Sequence, residues 1–151
     1  MDGIEKIDIF NFLPHRKPFL MVDRVMSIDN DEVITTFEIK RDCVFIEDNV
    51  LSEVGLIENV AQTCSSIVGR SYFDKDDLEG NNNKVIGFIS SLKNVNVIQC
   101  PSVGQSISTK ANLVMRYDGI GYKISTMTCS IFHDEKELLS CEIKLFIQEI
   151  K

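Results

Sequence analysis

The segment from Ser52 to Gly69 constrains the fold more than any other part of the chain. Val54, Leu56, Ile57, Val60, Ala61, Cys64, Ile67 and Val68 recur at steps of three and four residues and cover much of the surface, which is the pattern of a helix buried on most sides. Ser52 is placed to cap its start and Gly69 its end. At 1.5 Å per residue such a helix is a rod of about 27 Å. A rod that apolar has to be wrapped by other elements.

Strands are expected to supply the wrapping. Residues 19–28 and 32–40, rich in Val, Ile, Phe and Thr, flank Asp29-Asn30-Asp31, which reads as a hairpin turn. Residues 85–99, 105–117, 121–133 and 138–149 have the same character, with polar turn signals at Tyr117-Asp118-Gly119 and His133-Asp134-Glu135-Lys136. Within the third of these, Ile124, Met127, Cys129 and Ile131 set against Ser125, Thr128 and Ser130 approximate a half-buried strand. The expected fold class is α+β: one long helix wrapped by an antiparallel sheet of about six strands, in a single domain spanning residues 1–151. A single sheet leaves one face and its edges open, so a dimer or higher oligomer is expected.

Composition narrows the function. Sixteen basic against 23 acidic residues give a net charge of −7, which argues against a nucleic-acid partner. No apolar run is long enough to span a bilayer, and Met1–Lys6 lacks the basic start and apolar stretch of an export signal. Five cysteines without a C-x-x-C pair read as reduced thiols packed as small core residues in a cytoplasmic protein. The polar stretch Asp74–Asn83 fails as a calcium loop, because Leu78 and Glu79 stand where the pattern needs an oxygen ligand and a glycine. No metal and no cofactor are expected.

Two segments carry a family resemblance. Leu13-Pro14-His15-Arg16-Lys17-Pro18-Phe19-Leu20-Met21-Val22-Asp23-Arg24-Val25 resembles the opening of the 3-hydroxyacyl-[acyl-carrier-protein] dehydratases, and Glu58-Asn59-Val60-Ala61-Gln62 resembles their central-helix motif. Gly87 to Gly104 looks like a later strand and turn of the same family in looser form. The resemblance implies a hotdog fold, an acyl thioester on a carrier protein as substrate, and elimination of water from a 3-hydroxyacyl group in fatty-acid or polyene-type lipid synthesis. One departure stands out. The family's catalytic His precedes the helix, whereas residues 43–54 here contain none, and ungapped counting back from Glu58 puts Val44 near its place. In this the chain is similar to the dehydratase-like proteins of bacterial aryl-polyene and flexirubin-type pigment clusters.

Dehydration needs a base for the C2 proton, an acid for the leaving hydroxyl and a site for the developing oxyanion. Glu58 suits acid or base work, because burial on an apolar helix raises a carboxyl's pKa; the bland alternative places it with Asn59 on the helix's one wet stripe. Gln62, one turn on, can orient that carboxylate or a bound water, or merely fasten helix to sheet. Val54 and Gly55 offer backbone N–H groups at the helix start, where a thioester oxygen becoming negative would be favoured. His15 is the one imidazole within the motif that can stand in for the missing one, and Arg16 beside it is a candidate substrate contact; both can equally be structural. His133 reads as a solvated turn residue, and Cys129, about 13 Å away along a strand, is too far to pair with it. Arg16, Lys17 and Arg24 are candidates for a basic mouth facing an acidic carrier protein, with Lys93 and Lys110 further off. Three functions follow: an active hydro-lyase, a non-catalytic or half-active hotdog subunit paired with a His-bearing homologue, or an acyl thioesterase in which Glu58 activates water.

Overall fold

A computed structural model describes residues 17–69 and 84–150. Strands β1 (Arg24–Ile28) and β2 (Glu32–Glu38) form the first hairpin, and two short strands, β3 (Ile46–Glu47) and β4 (Val50–Leu51), lead into helix α1 (Glu53–Gly69). Four long strands follow: β5 (Lys84–Val97), β6 (Ser106–Asp118), β7 (Tyr122–His133) and β8 (Lys136–Ile150). The main sheet has six antiparallel strands in the order β1-β2-β6-β7-β8-β5, and α1 packs on one face of it. This is the expected layer architecture, with strand bounds within two residues of expectation from β6 onward.

Helix and sheet meet through Leu56, Val60, Ala61, Cys64 and Ile67 on one side and Ile107, Met127, Ile131, Leu139 and Ile143 on the other, all buried. Each fully buried side chain of this size contributes roughly 1.5–3 kcal/mol, so their shared face decides the register of the long strands. Cys64, Cys129 and Cys141 are packed in this layer, with Cys64 Sγ 3.3 Å from Cys129 Sγ. The neighbouring Cys129 thiol and burial push the Cys141 thiol up, away from the reactive thiolate. Cys43 and Cys100 are half-buried.

Local chemistry sets the ends of the elements. Asp29 Oδ1 accepts from the N–H groups of Asp31 (2.8 Å) and Glu32 (2.7 Å), closing the first hairpin as an Asx turn. At the helix start Ser52 Oγ accepts a long bond from Gly55 N–H at 3.4 Å. Gly55 is required by contact as well: a Cβ there would stand 2.9 Å from the Cβ of Phe45 and closer still to Leu51.

Two expectations are corrected. The first strand begins at Arg24 rather than at residue 19, because the backbone of Phe19 and Met21 bonds to side chains of α1 instead of a neighbouring strand. On β7, Ser125 points inward at 1% exposure and Ile124 outward, since the inward phase is fixed by Met127, Cys129 and Ile131. The segment before the helix forms a tight hairpin: Asp48 (φ 50°) and Asn49 (φ 65°) supply the two left-handed residues that join β3 to β4. The stretch Asp74–Asn83 lies outside the described residues.

Candidate active site around Glu58

Glu58 sits on the more open side of α1, half-buried, with Val54 62% exposed one turn earlier and Ile57 half-buried beside it. Asn59, the next residue, is fully buried, so the two do not share a wet stripe. Burial pushes the Glu58 carboxyl above the ordinary carboxylate range, and a hydrogen bond from Gln62 opposes that rise.

Gln62 is completely buried and uses its amide fully. Its Nε2 donates to Glu58 Oε1 at 3.0 Å and to the carbonyl of Phe19 at 2.9 Å, while its Oε1 accepts from Met21 N–H at 2.7 Å. That pattern fixes which end of the amide is which. It also ties Oε1 of the carboxyl. One side chain thus holds the carboxyl oxygen and fastens the helix to residues 19–21 rather than to a strand of the sheet.

A second buried amide supports the first. Asn59 Nδ2 donates to the carbonyl of Met21 at 2.7 Å, and Asn59 Oδ1 accepts from the Thr109 hydroxyl of β6 at 2.6 Å. Thr63 and Thr35 exchange a further bond at 2.8 Å between α1 and β2. Sequence reasoning missed Asn59, although an amide directly beside Glu58 on an otherwise apolar helix is itself a signal that something buried needs a partner. Around this network Phe19 meets Phe45 edge to face at 5.9 Å, and Cys43 Sγ lies 3.6 Å from Met21 Sδ.

The other candidates are distributed as follows. His15 and Arg16 lie outside the described residues. Val54 and Gly55 stand at the helix start as expected, with the Gly55 N–H shared with the Ser52 cap. Val44, at the position counted for the missing His, is 48% exposed in the turn before β3. His133 is not simply solvated: its Nδ1 donates to the Ser106 carbonyl at 2.9 Å, and Nε2 lies 3.5 Å from Asp134 Oδ2, tying the end of β7 to the start of β6. The basic mouth is diluted. Lys17 and Lys40 line a cleft of about 100 Å³ together with Asp23, Glu38 and Asp42. Lys110 pairs with Glu32 at 3.4 Å on another part of the surface, and Lys93 stands opposite Glu142. Among the described residues no cluster of His, Cys, Asp and Glu is arranged to hold a metal ion, and no helix is long and apolar enough to cross a membrane.

With that geometry in hand, comparison with known proteins is specific. The family model for ApeP-like proteins, described as ApeP dehydratase, matches residues 7–150. The 3-hydroxyacyl-[acyl-carrier-protein] dehydratase FabZ of Rhizobium rhizogenes is 40% identical over 87 residues, covering 54% of this chain and 53% of that protein. The FabZ of Rhizobium johnstonii is 40% identical over 89 residues, covering 54% of each. The matched region thus spans about half the length of these relatives. Among solved structures, the dehydratase heterocomplex ApeI:P from Xenorhabdus doucetiae superposes with a TM-score of 0.77 at 15% identity, covering 96% of this chain and 92% of that one. The PaaI protein of E. coli, from the phenylacetic acid degradation operon, gives 0.55 at 10% identity, covering 80% and 79%. The fold is the hotdog fold.

Proposed function

Because the chain belongs to the ApeP-like dehydratase family, we propose that it takes part in eliminating water from a 3-hydroxyacyl thioester carried on an acyl carrier protein, with Glu58 as the proton-transferring carboxyl. The observation that carries this reading is the half-buried Glu58 carboxyl, raised in pKa by burial and held at Oε1 by Gln62. A carboxyl so raised retains its proton closer to neutrality, which suits it to give that proton to the leaving C3 hydroxyl. The C2 proton goes to a base, the electron pair it leaves forms the C2–C3 double bond, and the C3–O bond breaks to release water. Backbone N–H groups of Val54 and Gly55 at the helix start suit the thioester oxygen as charge builds on it. Arg16 and Lys17 remain the candidate contacts for the acidic carrier.

The base is His15, a bound water, or an imidazole from a second hotdog chain. Two features favour the second chain. Strand β5 is an open edge of the sheet, and its helix-side residues Ile89 and Leu92 are 40% and 38% exposed, beyond the cover of α1. The open side of α1 near Glu58 is likewise apolar at Val54 and Ile57. The heterocomplex formed by the structurally similar ApeI:P supports such a pairing for this chain.

The test is enoyl-thioester formation from 3-hydroxyacyl carrier protein by the purified chain, alone and mixed with a His-bearing hotdog homologue. Glu58→Gln is expected to lower the rate by about 10²–10⁴-fold in whichever sample is active. His15→Ala lowers it as well if the imidazole is internal, and leaves the mixed sample unchanged if the partner supplies it. Full activity of Glu58→Gln would refute the assignment, and release of free acid instead of enoyl product would make the chain a thioesterase.

A further inference from the structure

The outer face of the sheet, turned away from α1, has two chemistries. Cross-strand register places Lys93, Glu142, Thr128 and Asn112 in one row, and Asn96, Ser140, Ser130 and Lys110 in the next. These are polar, as the solvent face of an antiparallel sheet should be. Toward the other end the rule fails. Phe88, Phe146, Ile124 and Tyr117 stand in a single row across β5, β8, β7 and β6, and Ile86, Gln148 and Tyr122 form the row beyond it. The Tyr122 ring stacks on Phe146 at 5.4 Å and lies 6.0 Å from Tyr117, so the rings make a continuous surface.

The fold gives no reason for these residues to be apolar. The helix-side residues of the same strands, Leu145 and Ile147 among them, already bury the core at 3% and 4% exposure. Phe88 is 51% exposed, Tyr117 56%, Met115 65% and Ile86 40%.

We propose that these rows are a self-association surface on which a second copy of this chain docks, outer face to outer face, about a two-fold axis. Charge argues for a second copy. Chains of net charge −7 repel one another, so a contact between copies belongs where ionised groups are missing. No described side chain in the two apolar rows is ionised. Area agrees: at these exposures the apolar rows, with Met115 from the adjoining row of Thr126, Lys144 and Ser91, present roughly 400–500 Å², half or more of the about 800 Å² per partner in a stable interface. The flanking polar rows supply the rim, and stacked sheets about 10 Å apart let the rings interdigitate. This surface is separate from the β5 edge, which pairs through backbone groups in the plane of the sheet.

Light scattering coupled to size-exclusion chromatography, on the full chain over about 1–100 μM, tests the proposal, with circular dichroism as the check on folding. The expected result is that Tyr117→Glu and Phe88→Glu each halve the mass reached by the natural chain at the same concentration. Where a glutamate prevents folding, the double variant Tyr117→Ser, Phe88→Ser removes the apolar area without adding charge and is expected to show the same halving. Leu92→Glu, aimed at the edge, is expected to leave the dependence on Tyr117 intact, so failure of the edge pairing and failure of this surface are distinguishable. Equal masses for the natural chain and the folded variants at all concentrations would overturn the proposal. Tyr117-dependent binding to phosphatidylcholine vesicles without self-association would overturn it too, identifying a lipid contact.

Discussion

Asn59→Leu is the substitution that most directly tests how the site is held. Leucine keeps asparagine's branching at Cγ with somewhat greater bulk, so the helix–sheet contact survives while two hydrogen bonds vanish. The Met21 carbonyl loses its 2.7 Å donor and the Thr109 hydroxyl its 2.6 Å acceptor, both in positions no more than 1% exposed. Each buried polar group stripped of its partner costs about 1–3 kcal/mol, so the variant is expected to lose about 2–6 kcal/mol. Adding Thr109→Val removes one of the two orphans. In the Asn59→Leu background that second change is therefore expected to be neutral or stabilising, whereas alone it is destabilising, and the two differ by a coupling of about 1–2 kcal/mol. Urea unfolding at fixed protein concentration reads both quantities from the midpoints, provided the slope is unchanged. A loss below about 0.5 kcal/mol for Asn59→Leu, or equal effects of Thr109→Val in both backgrounds, would refute the reasoning.

Three further outcomes follow from the same geometry. Glu58 has a folded-state pKa above its unfolded value, so its contribution to stability is fully present below the unfolded pKa, near 4.5, and is lost as pH rises through the folded pKa. Melting temperatures of the natural chain should fall relative to Glu58→Gln over that window, and parallel curves would contradict the raised pKa. Gly55→Ala forces a Cβ against Leu51 and Phe45 and is expected to cost about 1–3 kcal/mol, measured by thermal or urea unfolding. Leu92→Glu, on the helix side of the open β5 edge, is expected to abolish co-purification with a His-bearing hotdog partner while leaving the circular dichroism spectrum unchanged.

The architecture was legible where periodicity was strong. The helix and the Asp29-Asn30-Asp31 turn depend on local chemistry, and both appear as expected, although Val54 is exposed. What escaped the sequence depends on partners distant in the chain. Residues 19–23 have strand-like composition, yet two of them spend their backbone groups on Gln62 and Asn59, more than 35 positions away, and nothing in a local window announces that. Ile124 and Ser125 reversed their expected faces because strand phase is set by the whole row of inward neighbours. The hairpin at Asp48-Asn49 was readable in principle, since two adjacent residues tolerant of positive φ are a turn signal, but its flanking strands are only two residues long. Of the site, Glu58 and Gln62 came from motif and burial together, whereas the buried role of Asn59 required the position of Thr109.

The bonds from Gln62 and Asn59 to Phe19 and Met21 make the two family signatures a single mechanical part. The amides of one signature grip the backbone inside the other, and the carboxyl is seated by a side chain whose other hydrogen bonds hold residues 19–21. Anyone transplanting this helix into another hotdog scaffold would have to carry residues 19–21 with it, because the helix alone would arrive with two buried amides and no backbone for them to grip. For the same reason, drift in one signature is tolerable only if the other accommodates it, so the pair should be inherited or lost together.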